Sequence, residues 1–256
     1  MSENNTKNAL ILGGSQGLGF ASAQELAKRG FNLYIIHRDS KSKTEELNKK
    51  FEDLRNFSSE VKTYNFDATR EDKIENFVEN LPNDVKFDLV LHSIAKGNLK
   101  DLTGENALNA MDFQITIQAM ALSFHTWASC LVKNNRMKNP SQFLAFTSEG
   151  NTKVIPQYAA VSAAKSTLES LMRHMAVEFA PLGISTNCIQ AGLVDTQALQ
   201  HFPSYEKLKF FAQKRNPFQR LTQAKDVANV VGLLSETAAK WINGTVIKVD
   251  GGESLV

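Results

Sequence analysis

Short apolar runs rich in β-branched and aromatic residues alternate along this chain with longer stretches whose apolar positions recur every three to four residues. ALIL (Ala9 to Leu12), NLYIIH (Asn32 to His37), VKTYNF (Val61 to Phe66), FDLVLHS (Phe87 to Ser93), QFLAFTS (Gln142 to Ser148), ISTNCI (Ile184 to Ile189) and TVIKVD (Thr245 to Asp250) read as strands. Between them, helical periodicity begins near Gly17, Ser42, Glu71, Glu105, Gln157 and Ala224, and Gly30 and Gly183 stand where helix C-caps are expected. Strand and helix in strict alternation predict a parallel sheet with helices on both faces. The longest stretch without a clear strand, Ala191 to Thr222, follows a strand end and is expected to cover a substrate.

A chain of 256 residues can bury one substantial core, and no repeat, low-complexity block or linker divides it, so residues 1–256 are expected to form a single domain. A net charge of +2 gives no electrostatic case for nucleic acid. No apolar run is expected to approach the roughly 20 residues of a membrane span, and the N-terminal MSENNTKNALILGG lacks the charge and apolar pattern of a signal peptide. Cys130 and Cys188 lie far apart and suit packed thiols in a reducing compartment. A cytoplasmic protein without membrane or nucleic-acid partners is therefore expected. Nor do His125, His174 or His201 have companions at metal-ligand spacing, so no metal is expected.

Gly13-Gly14-Ser15-Gln16-Gly17-Leu18-Gly19 joins the first strand to the first long helix, with Gly13, Gly17 and Gly19 in G-x3-G-x-G spacing. Such a loop lets backbone approach a pyrophosphate, and the helix N-terminus offers free N–H groups to its charge. In this context the architecture becomes a single Rossmann-type, doubly wound parallel α/β sheet. The second strand ends in His37-Arg38, where a carboxylate would select the ribose 2′-hydroxyl of NAD. Arg38 instead suits a 2′-phosphate, which favours NADPH over NADH, although Gln16 adds no second charge. Asp67 and Ala68, in FDAT after the third strand, are placed for adenine, and the turn Ser93-Ile94-Ala95 for the adenosine ribose.

Ser148 ends the fifth strand, where ligands meet an open α/β sheet; Tyr158 follows ten residues later and Lys165 seventeen. QYAAVSAAKSTLESL reads as helix, so Tyr158 and Lys165 are expected on one helical face, about 10.5 Å apart along the axis. A nearby ammonium is expected to lower the phenol pKa and favour proton donation. Ketone reduction delivers hydride and proton to adjacent atoms. Reduction of a 2-enoyl thioester delivers hydride to C3 while charge collects on the thioester oxygen, so the proton donor can stand farther off. The seven-residue spacing points to the conjugated double bond.

With these landmarks in order, the chain resembles the short-chain dehydrogenase/reductases over nearly its whole length: GGSQGLG, FDAT, Ser148, the Tyr–Lys segment, AGLVDT and VDGGESLV. Tyr-x6-Lys resembles the enoyl-acyl-carrier-protein reductases, and VSAAKSTLESL with VDTQALQHFP the type III, NADPH-dependent members. The resemblance implies that Tyr158 stabilises or protonates the thioester enolate, Lys165 holds the nicotinamide ribose, and Ser148 assists at the thioester oxygen. Gly192, Val194 and Thr196 would line the nicotinamide. The superfamily's usual Thr-Gly pair, NNAG motif and helical Asn are replaced by Leu12, His92-Ser93-Ile94-Ala95 and Thr116, which argues against a standard ketone-reductase relay.

Phe202, Leu208, Phe210, Phe211 and Phe218 are candidates to wall an acyl pocket, and Lys207, Lys209, Lys214, Arg215 and Arg220 to face an acidic acyl-carrier protein; a short amphipathic helix with a solvated basic face accounts for the charges equally well. The C-terminal VIKVDGGESLV resembles the tail that helps assemble homotetramers in the superfamily. The expected activity is NADPH-dependent reduction of enoyl thioesters in fatty-acid biosynthesis. The alternatives are a carbonyl or 3-oxoacyl thioester reductase and an inactive dinucleotide-binding regulator.

Overall fold

A computed structural model describes residues 6–196 and 205–256. Strands β1 (Lys7–Leu12), β2 (Phe31–His37), β3 (Val61–Asn65), β4 (Phe87–His92), β5 (Met137–Ser148), β6 (Ile184–Ala191) and β7 (Val246–Val249) form one parallel sheet in the order β3-β2-β1-β4-β5-β6-β7. The helices are α1 (Gly17–Lys28), α2 (Thr44–Arg55), α3 (Glu71–Glu79), α4 (Ala110–Lys133), α5 (Ala159–Glu178), α6 (Tyr205–Arg215) and α7 (Ala224–Leu234).

Alternation along the strands divides the core into two layers. Leu10 and Leu12 face the layer closed by Phe77 of α3, Trp127 of α4 and Leu168 of α5. Ala9 and Ile11 face the other, closed by Leu26 of α1, Phe51 of α2 and Val231 of α7. Trp127 also donates its indole N–H to the Ala68 carbonyl at 2.8 Å, tying α4 to the turn after β3.

Four elements depart from the sequence reading. The helix expected near Glu105 starts at Ala110, because Asn109 and Asp112 form a reciprocal capping box that sets its first turn there. Gln118–Leu122 adopt a π-turn within α4. By length and composition this 24-residue helix reaches what a membrane span needs, although polar residues such as Gln118 and Ser123 break its apolar sequence; half of its most apolar window is buried inside the fold. β5 begins at Met137, five residues before the expected start, with a register irregularity opposite β4. Finally, the stretch 191–222 carries a helix, α6, rather than irregular loop alone, and the expectations for His201, Phe202 and the QALQHFP part of the motif lie outside the described residues.

Register brings the strand ends together. Leu12 lies opposite Ile36 of β2 and His92 of β4, and Ser148 opposite Ala191 of β6. The strand order reverses between β1 and β4, where the loops after both strands part and leave a crevice.

Candidate active site

The glycine loop is shaped by close backbone approach. Gly13 has φ +87° and donates to the Ile36 carbonyl at 2.8 Å; a Cβ there would stand 2.5 Å from the Ser93 carbonyl oxygen. A Cβ on Gly19 would stand 2.2 Å from the Gly13 carbonyl oxygen, so neither position accepts a side chain without backbone movement. Gly17 opens α1 at φ +55°. Gln16, its N-cap, makes no side-chain capping bond to the first turn of α1. Ser15 is buried in the loop and Leu18 packs onto the core below it. A helix N-terminus beside a loop kept bare of side chains fits a dinucleotide pyrophosphate.

At the adenosine end the charged groups interlock. Arg38 donates to Asp67 at 2.7 Å, and the Lys96 ammonium lies 3.7 Å from the same carboxylate oxygen. The other oxygen accepts from the Thr69 N–H and hydroxyl. Partial burial pushes the Asp67 carboxyl up, but the Thr69 hydrogen bonds and the two cations outweigh it and hold it at about 2. His37 meets Asp39 at 2.9 Å, with both side chains largely buried. Asp39 shares a cavity with Ser15, Gln16, Lys43, Glu46 and Lys50, so two carboxylates and two lysines line the space beside the end of β2. Neither Asp39 nor Lys96 was expected from the sequence; the only signal was the charge-rich HRDSKSK after β2. Ser93 donates its N–H to the Leu12 carbonyl and Ile94 packs onto the core, which places the Ser93-Ile94-Ala95 turn against the glycine loop.

Tyr158 stands outside the helix, a correction to the sequence reading. Its φ and ψ of −103° and 3° make it the N-cap of α5, and its carbonyl accepts the Ser162 N–H. Pro156 disfavours a helical residue before it, and Gln157 takes the left-handed region at φ +63°, so helical geometry cannot begin earlier. The Gln157 side-chain amide donates to Asp101 at 3.2 Å, holding that turn to the loop after β4. Ser148 hydrogen-bonds the phenol and also accepts the Gly150 N–H. Gly150 lies flat against the ring: a Cβ there would come within 2.4 Å of Tyr158 Cε1.

The electrostatics of the pair also differ from expectation. Burial pushes the Tyr158 phenol above its ordinary value; the Ser148 hydrogen bond opposes this and the Glu149 carboxylate adds to it. Lys165 does not lower it. Its ammonium is buried and donates to the Phe146 carbonyl at 2.8 Å, and burial, against weaker support from Cys188 and Glu169, brings it down to about 8. Nearby His92 is fully buried, bonded through Nε2 to Ser123, and its pKa is brought down to about 3 by burial and the Lys165 charge, so it is uncharged at neutral pH. Thr116 is buried, accepts the Asn98 N–H and donates to the Asp112 carbonyl, which ties the loop after β4 to α4.

The loop after β6 closes the far side. The Gly192 N–H bonds the Val249 carbonyl, and a Cβ on Gly192 would collide with Thr222 Oγ1 and Glu253 Oε2. Val194 bridges to Thr222, and the Thr196 methyl reaches over Gly17. Ser148, Tyr158 and Lys165 thus converge at the carboxyl ends of β5 and β6, with the glycine loop on one side and residues 192–196 above.

Three of the five cations of 207–220 pair with carboxylates of the chain: Lys209 with Asp195 and Arg220 with Asp226 at the surface, and Arg215 with Glu149 and Glu253 in the interior. Lys207 and Lys214 are exposed. Phe210 and Phe211 pack edge to face on one another, and both, like Phe218, are largely exposed rather than walling an enclosed pocket.

Residues 13–254 match the family described as Enoyl-(Acyl carrier protein) reductase. Among curated proteins, the chain is 29% identical over 249 residues to the peroxisomal 2,4-dienoyl-CoA reductase SPS19 of Saccharomyces cerevisiae, covering 96% of this chain and 83% of that one. It is 32% identical over 173 residues to the enoyl-[acyl-carrier-protein] reductase [NADH] FabI of Escherichia coli, covering 66% and 65%. Among solved structures, the enoyl-[acyl-carrier-protein] reductase (NADH) of Aquifex aeolicus VF5 superposes with a TM-score of 0.84 at 25% identity, covering 98% of this chain and 97% of that one.

Proposed function

The chain belongs to the enoyl-(acyl carrier protein) reductase family, an NAD(P)H-dependent oxidoreductase of the short-chain dehydrogenase/reductase fold, and on that premise we propose that it reduces the trans-2 double bond of enoyl thioesters with NADPH, the thioester being carried by acyl-carrier protein in fatty-acid biosynthesis. The observation that carries the proposal is the placement of Tyr158 at the N-cap of α5, seven residues before a buried Lys165 and bonded to Ser148.

When bound, NADPH would supply hydride to C3 of the substrate, and the resulting enolate would take a proton at C2 from solvent. The residues then act on the charge that forms. The Tyr158 hydroxyl donates a hydrogen bond to the thioester oxygen as enolate charge gathers there, which favours the transition state over the ground state. A phenol pushed up by burial stays protonated through the neutral range, as a donor must. Ser148 orients that hydroxyl. Lys165, released from the Phe146 carbonyl, would hold the nicotinamide ribose hydroxyls. The α1 N-terminus and Gly13–Gly19 would take the pyrophosphate, Asp67 and Ala68 the adenine, Ser93, Ile94 and Ala95 the adenosine ribose, and Gly192, Val194 and Thr196 the nicotinamide.

NADPH rests on Arg38, which is more than half exposed and can exchange Asp67 for a 2′-phosphate. Substituting Arg38→Ala should raise KM for NADPH about tenfold or more and leave KM for NADH within about twofold; equal effects on both would remove the assignment. A carrier protein rests on Lys207 and Lys214 beside exposed Phe210 and Phe211. The internal pairing of Lys209, Arg215 and Arg220 weakens that case and favours coenzyme A thioesters as the second reading. A homotetramer is proposed on the same resemblance; light scattering reads it directly.

The activity is tested by NADPH oxidation at 340 nm with a medium-chain trans-2-enoyl thioester, on carrier protein and on coenzyme A, beside the matching 3-oxoacyl thioester. Turnover of the enoyl substrate alone, lost in Tyr158→Phe, supports the reading. Turnover of the 3-oxo substrate alone assigns Tyr158 to carbonyl chemistry and overturns it.

A further inference from the structure

Three segments distant in sequence meet in one ion triad beside the candidate catalytic residues. Arg215, at the end of α6, pairs with Glu149, in the turn after β5, and with Glu253 at 2.7 Å, in the turn that ends the chain. The Glu253 side chain is 1% exposed, and its second oxygen accepts the Leu193 N–H at 3.1 Å. Next to it, Asn216 donates to the Asp250 carbonyl at 3.0 Å, pinning the end of α6 to the same tail. The triad therefore joins the helix of the substrate stretch, the loop carrying Ser148, and the Gly192–Thr196 loop.

Glu149 lies between Ser148, whose hydroxyl meets the phenol, and Gly150, whose Cα lies against the ring. One Glu149 oxygen takes Arg215; the other is buried with no hydrogen-bond partner among the described residues. Two carboxylates share one guanidinium, so the cluster keeps a net negative charge whose strength at Tyr158 depends on Arg215 staying in place.

We propose that Arg215 is a positioning residue of the reductase: seated between Glu149 and Glu253, it locks the Ser148–Gly150 turn against Tyr158 and neutralises the carboxylate nearest the phenol. This rests on the reading of Tyr158 as proton donor. Seating of α6 is thereby coupled to assembly of the donor, because displacing α6 withdraws Arg215, loosens the turn and exposes the phenol to an uncompensated Glu149. The other charged groups around this turn are Lys165 on α5, which is held by the Phe146 carbonyl, Glu169 on α5, which accepts from Thr147 and Asn151, Lys153, whose N–H bonds the Glu149 carbonyl, and Asp101, which accepts from Gln157. Among the described residues none of these side chains pairs with the charged groups of the triad, and all are unchanged in the variants tested below. Glu149 raises the Tyr158 pKa, so removing its charge must lower that pKa, and removing its counter-cation must raise it further.

The test is an NMR titration of protein labelled at tyrosine Cζ, on the full chain without substrate, with Tyr158→Phe assigning the resonance. In Glu149→Gln, Tyr158 should titrate at lower pH than in the wild type; in Arg215→Met it should titrate at higher pH; Arg215→Lys should restore the wild-type value. Arg215→Met should also lower kcat about tenfold on whichever substrate the wild type turns over. Opposite displacements in the two charge-removing variants support the proposal. Displacement in the same direction, or none, overturns it, because a purely structural ion pair would not give opposite signs. If Arg215→Met does not fold, Glu149→Gln and Arg215→Lys decide alone. The titration needs no substrate, so it stands or falls separately from the enoyl-thioester reading, which the turnover assay decides.

Discussion

Lys165 should cost stability in the free protein, and the cost should appear as a pH dependence. Its ammonium titrates at about 8 in the fold against 10.5 when unperturbed, with burial as the leading cause. A folded-state value below the unfolded one means that, between pH 8 and 10.5, the unfolded chain binds a proton the folded chain has released. Stability from this group therefore rises with pH through that window and is lost below it, by about 3 kcal/mol in all. Between pH 7 and 10 the rise should be about 2–3 kcal/mol. Other groups oppose it: burial pushes the Cys188 thiol up to about 12, so the thiol favours the unfolded state above pH 9. The comparison with Lys165→Met cancels the contributions that do not depend on the Lys165 charge; Cys188, which that charge lowers, adds to the difference only as the thiol titrates. That variant also loses the hydrogen bond to the Phe146 carbonyl, a cost of about 1–3 kcal/mol that does not vary with pH. The assay is urea unfolding of both proteins at pH 7, 8, 9 and 10. The difference in unfolding free energy should shift by about 2–3 kcal/mol in favour of the wild type from the first pH to the last. Parallel profiles, agreeing within about 0.5 kcal/mol at every pH, would refute the claim that this lysine is charged against its environment at neutral pH.

Gly150→Ala should force the Tyr158 ring to move, because the new methyl would lie 2.4 Å from Cε1 and 3.1 Å from Ile155 Cδ1; kcat should fall about tenfold or more with cofactor affinity nearly unchanged, and weakened cofactor binding by calorimetry would instead indicate general disruption. Asn109→Ala removes one half of the capping box at the start of α4 and should cost about 1 kcal/mol, lowering Tm by about 2–4 °C in thermal unfolding. An unchanged Tm would mean that tertiary packing alone sets the start of α4.

Much of the fold was legible because its signals are local and periodic. Six of the seven strands lie within a few residues of the apolar runs that predicted them, and the glycine loop falls at the β1–α1 junction. Ser148 bonds the Tyr158 phenol and Lys165 reaches the Phe146 carbonyl two residues before it, since β5, the turn after it and α5 are consecutive in the chain. The errors share one character. The start of α5 was read from helical periodicity, but Pro156 and the left-handed Gln157 keep Tyr158 out of the helix. Lys165 was credited with lowering the phenol pKa, whereas burial, which no spacing displays, dominates both groups.

The sequence by itself determined the alternation of strand and helix, the glycine loop at the β1–α1 junction and the residue types gathered at the candidate site, because each is written in neighbouring positions through steric and hydrophobic periodicity. Only the tertiary structure decided which charges act and on what. Arg215 reads in the sequence as one cation of a solvated basic stretch; folding sets it against Glu149 and Glu253, 66 and 38 residues away. Arg38 and Asp67, 29 residues apart, meet at 2.7 Å across the adenosine end. Coulomb energy depends on separation and burial, and both are set by the packing of distant segments rather than by their order along the chain.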